Sequence, residues 1–178
     1  HSYVLFRADD GVTVLPPGSI ASKVLFHQAY KAAFIASQLT AVFSSKMSFV
    51  QLANLLTDPQ QGGYLFSDDY FWIPSATPAY DPAHFFLPVS FADAFGQVTS
   101  IQYDAKYHLF TERITDPLGH AIVVREFNYR VLQPWLLEDI NGNLSAARFD
   151  AFGVPVMTFV LGKPGTDAGD EIDMSSTE

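Results

Sequence analysis

The apolar positions change period partway along the chain. Between residues 19 and 44, after the Pro16-Pro17-Gly18 breaker, Ile20, Val24, Ala29, Ala33, Phe34, Leu39, Val42 and Phe43 recur at a mostly helical spacing among good helix formers. One or two helices are expected there. Ser48 suits an N-cap ahead of Phe49, Val50, Leu52, Leu55 and Leu56, a short amphipathic set that stops at Asp58-Pro59 because proline disfavours a helical residue before it. Gln61-Gly62-Gly63 then introduces two aromatic runs, Tyr64-Leu65-Phe66 and Tyr70-Phe71-Trp72-Ile73, divided by Ser67-Asp68-Asp69. That is the pattern of a hairpin, ending at Pro74. Period-two stretches such as Leu87-Val89-Phe91 and residues 98–103 follow and read as short strands.

The punctuation between these strands is periodic. Asp93-Ala94-Phe95-Gly96, Asp116-Pro117-Leu118-Gly119 and Asp139-Ile140-Asn141-Gly142 are D-x-x-G tetrads that start 23 residues apart. Gly165 falls 23 residues after Gly142, with Gly162 in the aspartate's place. In a type I turn an aspartate at the first position bonds the backbone two residues on, proline pre-sets φ at the second and glycine is favoured at the fourth; Asp116, Pro117 and Gly119 fill all three roles. A second marker keeps nearly the same period: Tyr80-Asp81, Tyr103-Asp104, Phe127-Asn128 and Phe149-Asp150 follow at steps of 23, 24 and 22. The residue two before each tetrad start is apolar throughout (Phe91, Ile114, Leu137, Val160), which predicts one strand position per repeat facing a shared interior.

Each unit of 23 residues thus reads as two strands joined by a D-x-x-G turn and a second connection. The fold class is mainly β: a repeat array over residues 80–165, a smaller helical and aromatic-hairpin region at 1–79, and an acidic tail at 166–178 expected to be disordered. Repeats of this kind bury their inner faces only against neighbours, so open edges are expected, and with them pairing of two copies through edge strands.

Composition narrows the function classes. In 178 residues there is no cysteine, which removes disulfides, thiolate-bound metal and thiol nucleophiles and leaves the redox compartment open. Ten scattered Lys and Arg against 19 Asp and Glu, a net charge of −9, argue against a nucleic-acid partner. The 48% hydrophobic and 15% aromatic content supplies a core. The longest uncharged candidate for a membrane span, residues 32–45, is too short and interrupted by Ser, Gln and Thr. The chain opens at His1 with no initiator Met, basic n-region or h-region, and reads as a piece of a longer protein.

Phe149-Asp150-Ala151-Phe152-Gly153 and Asp116-Pro117-Leu118-Gly119 resemble the YD repeats of RHS-repeat proteins. Longer runs look like the B component of bacterial Tc (toxin complex) insecticidal toxins: Tyr80-Asp81-Pro82-Ala83-His84-Phe85-Phe86-Leu87-Pro88-Val89, Phe95-Gly96-Gln97-Val98-Thr99, Tyr129-Arg130-Val131-Leu132-Gln133-Pro134 and Asp139-Ile140-Asn141-Gly142-Asn143. The departures are Asn128 for Asp, one extra residue before Phe127, and Gly162 for Asp, which affect local strand register. In that family the RHS repeats of the B component, with those of a C component, form a hollow β-shell around a cytotoxic C-terminal segment. The resemblance implies RHS/YD-type β-strand repeats in a secreted virulence protein. It implies as partners the remaining RHS repeats of the same or a companion component and the enclosed toxin polypeptide. It carries over no catalytic residue.

The candidate chemistry is sparse. His27, His84, His108 and His120 lie in separate segments with no H-x-H or H-x-x-x-H spacing, and the tail acids Asp167, Asp170 and Asp173 lack the glycine and terminal glutamate of a calcium loop, so no metal is expected. Nucleophile-elbow, P-loop and dinucleotide fingerprints are absent, and neither an enzyme nor a cofactor is expected. A pair such as Asp104 and Asp150 suits acid–base work only if it meets across strands, whereas turn capping accounts for the period of these aspartates without chemistry. The alternative to a wall segment is a free-standing β-rich module that binds glycan or protein through Tyr64, Tyr70 and Trp72. A wall packs Tyr70 and Trp72 inside; a binder sets them side by side on an open face.

Overall fold

Phe26, Tyr30 and Phe34 are four residues apart, a spacing that fits one face of a helix and, being even, one face of a strand. In the computed structural model, which describes residues 1–166, 169 and 170, the strand prevails. The helix expected across 19–44 is confined to α1 (Ala36–Phe43); residues 25–35 form β2 (Leu25–Ile35), and residues 19–24 are irregular. β2 is paired on both sides, with β1 (Ser2–Arg7) and β4 (Tyr70–Pro74), and two ladders of backbone hydrogen bonds outweigh local helix propensity. β1 carried no sequence expectation, being a continuous apolar run without alternation.

The chain divides into two compact units, His1–Thr99 and Ser100–Glu178. The first holds a four-stranded antiparallel sheet of order β1-β2-β4-β3. The expected hairpin is present as β3 (Leu65–Ser67) and β4, with Asp68 and Asp69 at φ of 50° and 66° in the two-residue turn. The turn also serves α1, whose N-cap Ile35 has no side-chain acceptor: the Ala36 N–H donates to the Asp69 carbonyl at 2.9 Å. Helix α2 (Phe49–Thr57) begins and stops where the sequence predicts. Ser48 Oγ accepts the Gln51 N–H, Gln51 Oε1 accepts the Ser48 N–H, and the helix ends at Asp58 ahead of Pro59.

Alternation along β4 separates two aromatic clusters. On one face Phe71, fully buried, meets Phe66 at 4.7 Å and Phe49 of α2 at 6.4 Å between ring centroids. On the other, Tyr3 stacks on Tyr30 at 4.8 Å and meets Trp72 edge-on at 5.0 Å. Gly62 lets the chain turn back over the end of α2: a Cβ there would stand 2.2 Å from the Leu56 carbonyl oxygen. The unit continues with β5 (Thr77–Asp81), a 3₁₀ turn (Pro82–His84) and β6 (Leu87–Ala92) paired with β5. Residue 79, the expected end of the N-terminal region, lies within β5.

The second unit is built from β7 (Val98–Tyr103), β8 (Thr111–Thr115), β9 (Ala121–Asn128), β10 (Gln133–Glu138), β11 (Leu144–Phe149) and β12 (Pro155–Gly162), each antiparallel to the next. Ile101, Ile114 and Ile122 stand opposite one another, and Val124, Leu137, Ser145 and Val160 continue their face. Three members of the row predicted from the repeat, Ile114, Leu137 and Val160, share this face, but it is not an interior: Ile114 and Val160 remain 41% and 65% exposed. Val123, Leu136 and Ala146, on the opposite face, are the buried ones. Apolar residues occupy both faces of these strands, so periodicity marks a row without deciding which side is covered. The tail predicted at 166–178 lies outside the described residues except for Thr166, Gly169 and Asp170.

Candidate functional site: aspartate-capped turns

The two sequence markers turn out to be two kinds of one device. D-x-x-G tetrads close the β6–β7, β8–β9 and β10–β11 connections; the aromatic-acid pairs open the β5–β6, β7–β8, β9–β10 and β11–β12 connections. The kinds alternate along the chain as far as β10–β11, which is why both share a period of two strands, and the β11–β12 turn combines the two.

In the Asp116 turn, Oδ1 accepts the N–H of Leu118 at 2.9 Å and of His120 at 2.8 Å, while the Asp116 carbonyl accepts the Gly119 N–H at 3.0 Å. Asp139 repeats this with Asn141 and Asn143, both at 2.8 Å, and Asp93 with Phe95 and Gln97 at 2.9 and 2.8 Å. Gly119 sits at φ 87°, a left-handed conformation that closes a type I turn into its hairpin and that glycine alone adopts without strain. In the fourth copy, Gly162 at the first position and Gly165 at the fourth have positive φ of 66° and 80°, and Thr166 N–H reaches the Lys163 carbonyl at 3.2 Å, without a carboxylate.

The aromatic-acid turns bond differently in length but alike in logic. Asp104 is 5% exposed, and its carboxylate accepts three backbone N–H groups, from Tyr107, Leu109 and Phe110, each at 2.8 Å. Burial works against its charge, yet the N–H groups of Phe110, Tyr107 and Leu109 and the nearby His108 hold the carboxyl below its ordinary value. Asp81 is lowered by His84, whose Nδ1 lies 2.6 Å from Oδ2, and by the Ala83 N–H. Asn128 does the same work neutrally, its Oδ1 accepting the Arg130 and Val131 N–H at 3.1 and 3.4 Å, and Leu132, four residues on, has a φ of 56°, as Phe85 and His108 have 58° and 53° four residues after Asp81 and Asp104. Asp150 accepts from Phe152 and Val154 at 2.9 Å and has Gly153 at φ 85°, so 150–153 is a further D-x-x-G turn on the opposite row, outside the 23-residue count.

The aromatic partners of these acids point into strand packing. Tyr80 donates its hydroxyl to the Phe26 carbonyl at 2.7 Å, burial raises the Tyr103 phenol, Phe127 stacks on Phe110 at 4.5 Å, and Phe149 faces Pro155. The proposed binding aromatics part company. Trp72 is 8% exposed and donates Nε1–H to the Ser67 carbonyl; Tyr70 packs on it and on His1, and Tyr64 lies instead against Phe34.

Two clusters had no sequence signal. Arg7 donates to the Gly11 and Pro78 carbonyls at 2.8 and 2.6 Å and to His27 Nδ1 at 3.3 Å, and stands 5.4 Å from the Tyr80 ring centre. Its partners on β2 and β5 are remote in sequence. In the second unit Tyr107, Phe110, Phe127 and Tyr129 gather under Lys106, whose Nζ lies 4.9 Å from the Tyr107 ring and 5.4 Å from that of Tyr129. Only Phe127 of these was marked by the repeat. Among the described residues no group of three His, Asp or Glu is placed to hold a metal, and no helix is long and apolar enough to cross a membrane.

No protein-family model matches the chain, and no curated protein sequence matches it. Solved structures do. A crystal structure of TcdB2-TccC3-Cdc42 is similar at a TM-score of 0.71 and 20% identity, and one of TcdB2-TccC3 at 0.69 and 21%. TcdB2-TccC3 without its hypervariable C-terminal region gives 0.67 and 23%. Each likeness covers 89% of this chain and 8% of the other, so the chain spans a small fraction of the length of the structures it matches. The fold is thus mainly β and similar to that of Tc toxin complex structures.

Proposed function

We propose that this chain is a non-catalytic wall segment of a secreted, insecticidal-type RHS-repeat toxin of the Tc B-component kind, contributing strands to a β-shell that encloses a cytotoxic polypeptide. The observation that carries the reading is the alternation of two locally capped turn kinds between successive antiparallel strands, in a chain 89% of which is covered by a Tc-toxin-related fold. Such alternation lets strand follow strand with every turn satisfied locally and no side chain reserved for a ligand. The companion RHS repeats and the enclosed polypeptide are its partners in this reading. Enclosed carboxylates such as Asp104, held ionised by backbone donors, serve the turns rather than proton transfer.

The test is cryo-electron microscopy of the full-length protein that contains this chain. The reading expects the strands to run into neighbouring strands of a closed hollow wall with density inside. A chain standing apart as a separate module rejects it. The alternative binding module is tested on the isolated chain: the burial of Trp72 favours the wall, and specific capture of a glycan on an array would favour the module instead.

A further inference from the structure

A backbone amide can attack the side chain of the asparagine before it, and glycine is the residue that least hinders the attack. Asn54, Asn128 and Asn143 precede Leu55, Tyr129 and Leu144. Asn141 precedes Gly142, at the exposed tip of the β10–β11 turn. Nothing lies within 4 Å of where a Gly142 Cβ would stand, so water reaches this bond. Asp139 governs the turn. Its carbonyl accepts the Gly142 N–H at 3.0 Å, its Oδ1 accepts the Asn141 and Asn143 N–H, both at 2.8 Å, and its Oδ2 accepts from Asn143 Nδ2 at 2.9 Å. The proton that the attack must remove is therefore tied up, and the adjacent carboxylate opposes the negative charge that its loss creates. Asp10-Gly11 is shut off differently. Its reaction needs a neutral carboxyl, and bonds from Thr13 and Val12 lower the Asp10 pKa to about 2.

We propose that Asn141 is a site of spontaneous deamidation through a succinimide, and that the Asp139 cap sets its rate by keeping the turn closed. When the turn opens, the Gly142 nitrogen gives up its proton and bonds to Asn141 Cγ; the Cγ–Nδ2 bond breaks and ammonia carries the proton away. Water then opens the ring at either carbonyl. One product is aspartate at 141. The other is an isoaspartyl link, in which the main chain runs through Cγ and is one carbon longer. That carbon displaces the Gly142 N–H from the Asp139 carbonyl and loosens the β10–β11 register, which pairs Leu137 with Ser145 and Glu138 with Leu144. Either product sets a new negative charge beside Glu138 and Asp139.

Peptide mapping by mass spectrometry tests this on the full-length protein that contains this chain, aged for weeks at mildly alkaline pH. Trypsin releases residues 131–148 between Arg130 and Arg148, so Asn141 and Asn143 share one peptide and the second is an internal control. Acid is expected to replace amide at 141 and not at 143, in two products separable by chromatography. Asp139→Ala should convert about tenfold faster, since a charged acceptor contributes about that factor to the closed turn, and Asp139→Asn, which keeps an acceptor, should convert more slowly than Asp139→Ala. The isolated 131–148 peptide, with no folded turn to protect it, should also convert about tenfold or more faster than the intact protein, a reading that stands even if Asp139→Ala fails to fold. No acid at 141 in the aged parent, conversion at 143 in step with 141, Asp139→Ala converting no faster than the parent, or equal rates for the peptide and the intact protein would each overturn the proposal.

Discussion

Asp104 and Asp116 show how far burial changes the value of the same cap. Both accept backbone N–H groups, but Asp104 is enclosed and Asp116 lies open, with His120 Nδ1 3.0 Å from its second oxygen. Replacing Asp104 with Ala leaves three buried donors without a charged acceptor and should cost about 3 kcal/mol in chemical denaturation, whereas Asp116→Ala should cost less. His27 adds a pH response. Burial first, and then the Arg7 charge, push its imidazole below the ordinary 6.5, so the folded chain prefers it neutral while the unfolded chain takes up the proton. Its contribution is complete above the ordinary value and is lost as pH falls from there toward the folded one. His27→Gln should therefore flatten the fall in Tm between about pH 7 and pH 5, read by calorimetry.

At the scale of elements, local signals were legible wherever a short-range bond decides the structure. The Ser48 cap, the Asp58-Pro59 stop, the Asp68-Asp69 hairpin and every D-x-x-G turn could be read because their partners lie within a few residues. β2 could not: an even spacing of aromatics satisfies both periods, and the choice rests on β1 and β4, the latter some forty residues on. Arg7 was illegible for the same reason, its carbonyl partner Pro78 being 71 residues away. The glycines divide likewise. At Gly119 nothing lies within 4 Å of an added Cβ, so Gly119→Ala should cost about 1 kcal/mol from its backbone conformation alone. Gly62→Ala would force the Leu56 backbone to move and should cost about 2 kcal/mol or more; thermal unfolding of the two variants checks the order.

For the whole molecule, acid is the revealing condition. Asp9, Asp10, Asp58, Asp81, Asp104, Asp116 and Asp139 are all held below the ordinary carboxylate value of 3.8, Asp10 at about 2 through Thr13 and Val12. Lowered folded values give stability that is full above 3.8 and vanishes as pH falls through them, so the acid transition followed by circular dichroism should be centred below 3.8. The capping bonds of Asp93, Asp116 and Asp139 reach no further than four residues along the chain. Each hairpin tip is therefore self-contained. Leu118, 80% exposed at the crest of one, could be swapped for a peptide tag or a reporter loop while the strands beneath keep their register, making this chain a natural display frame.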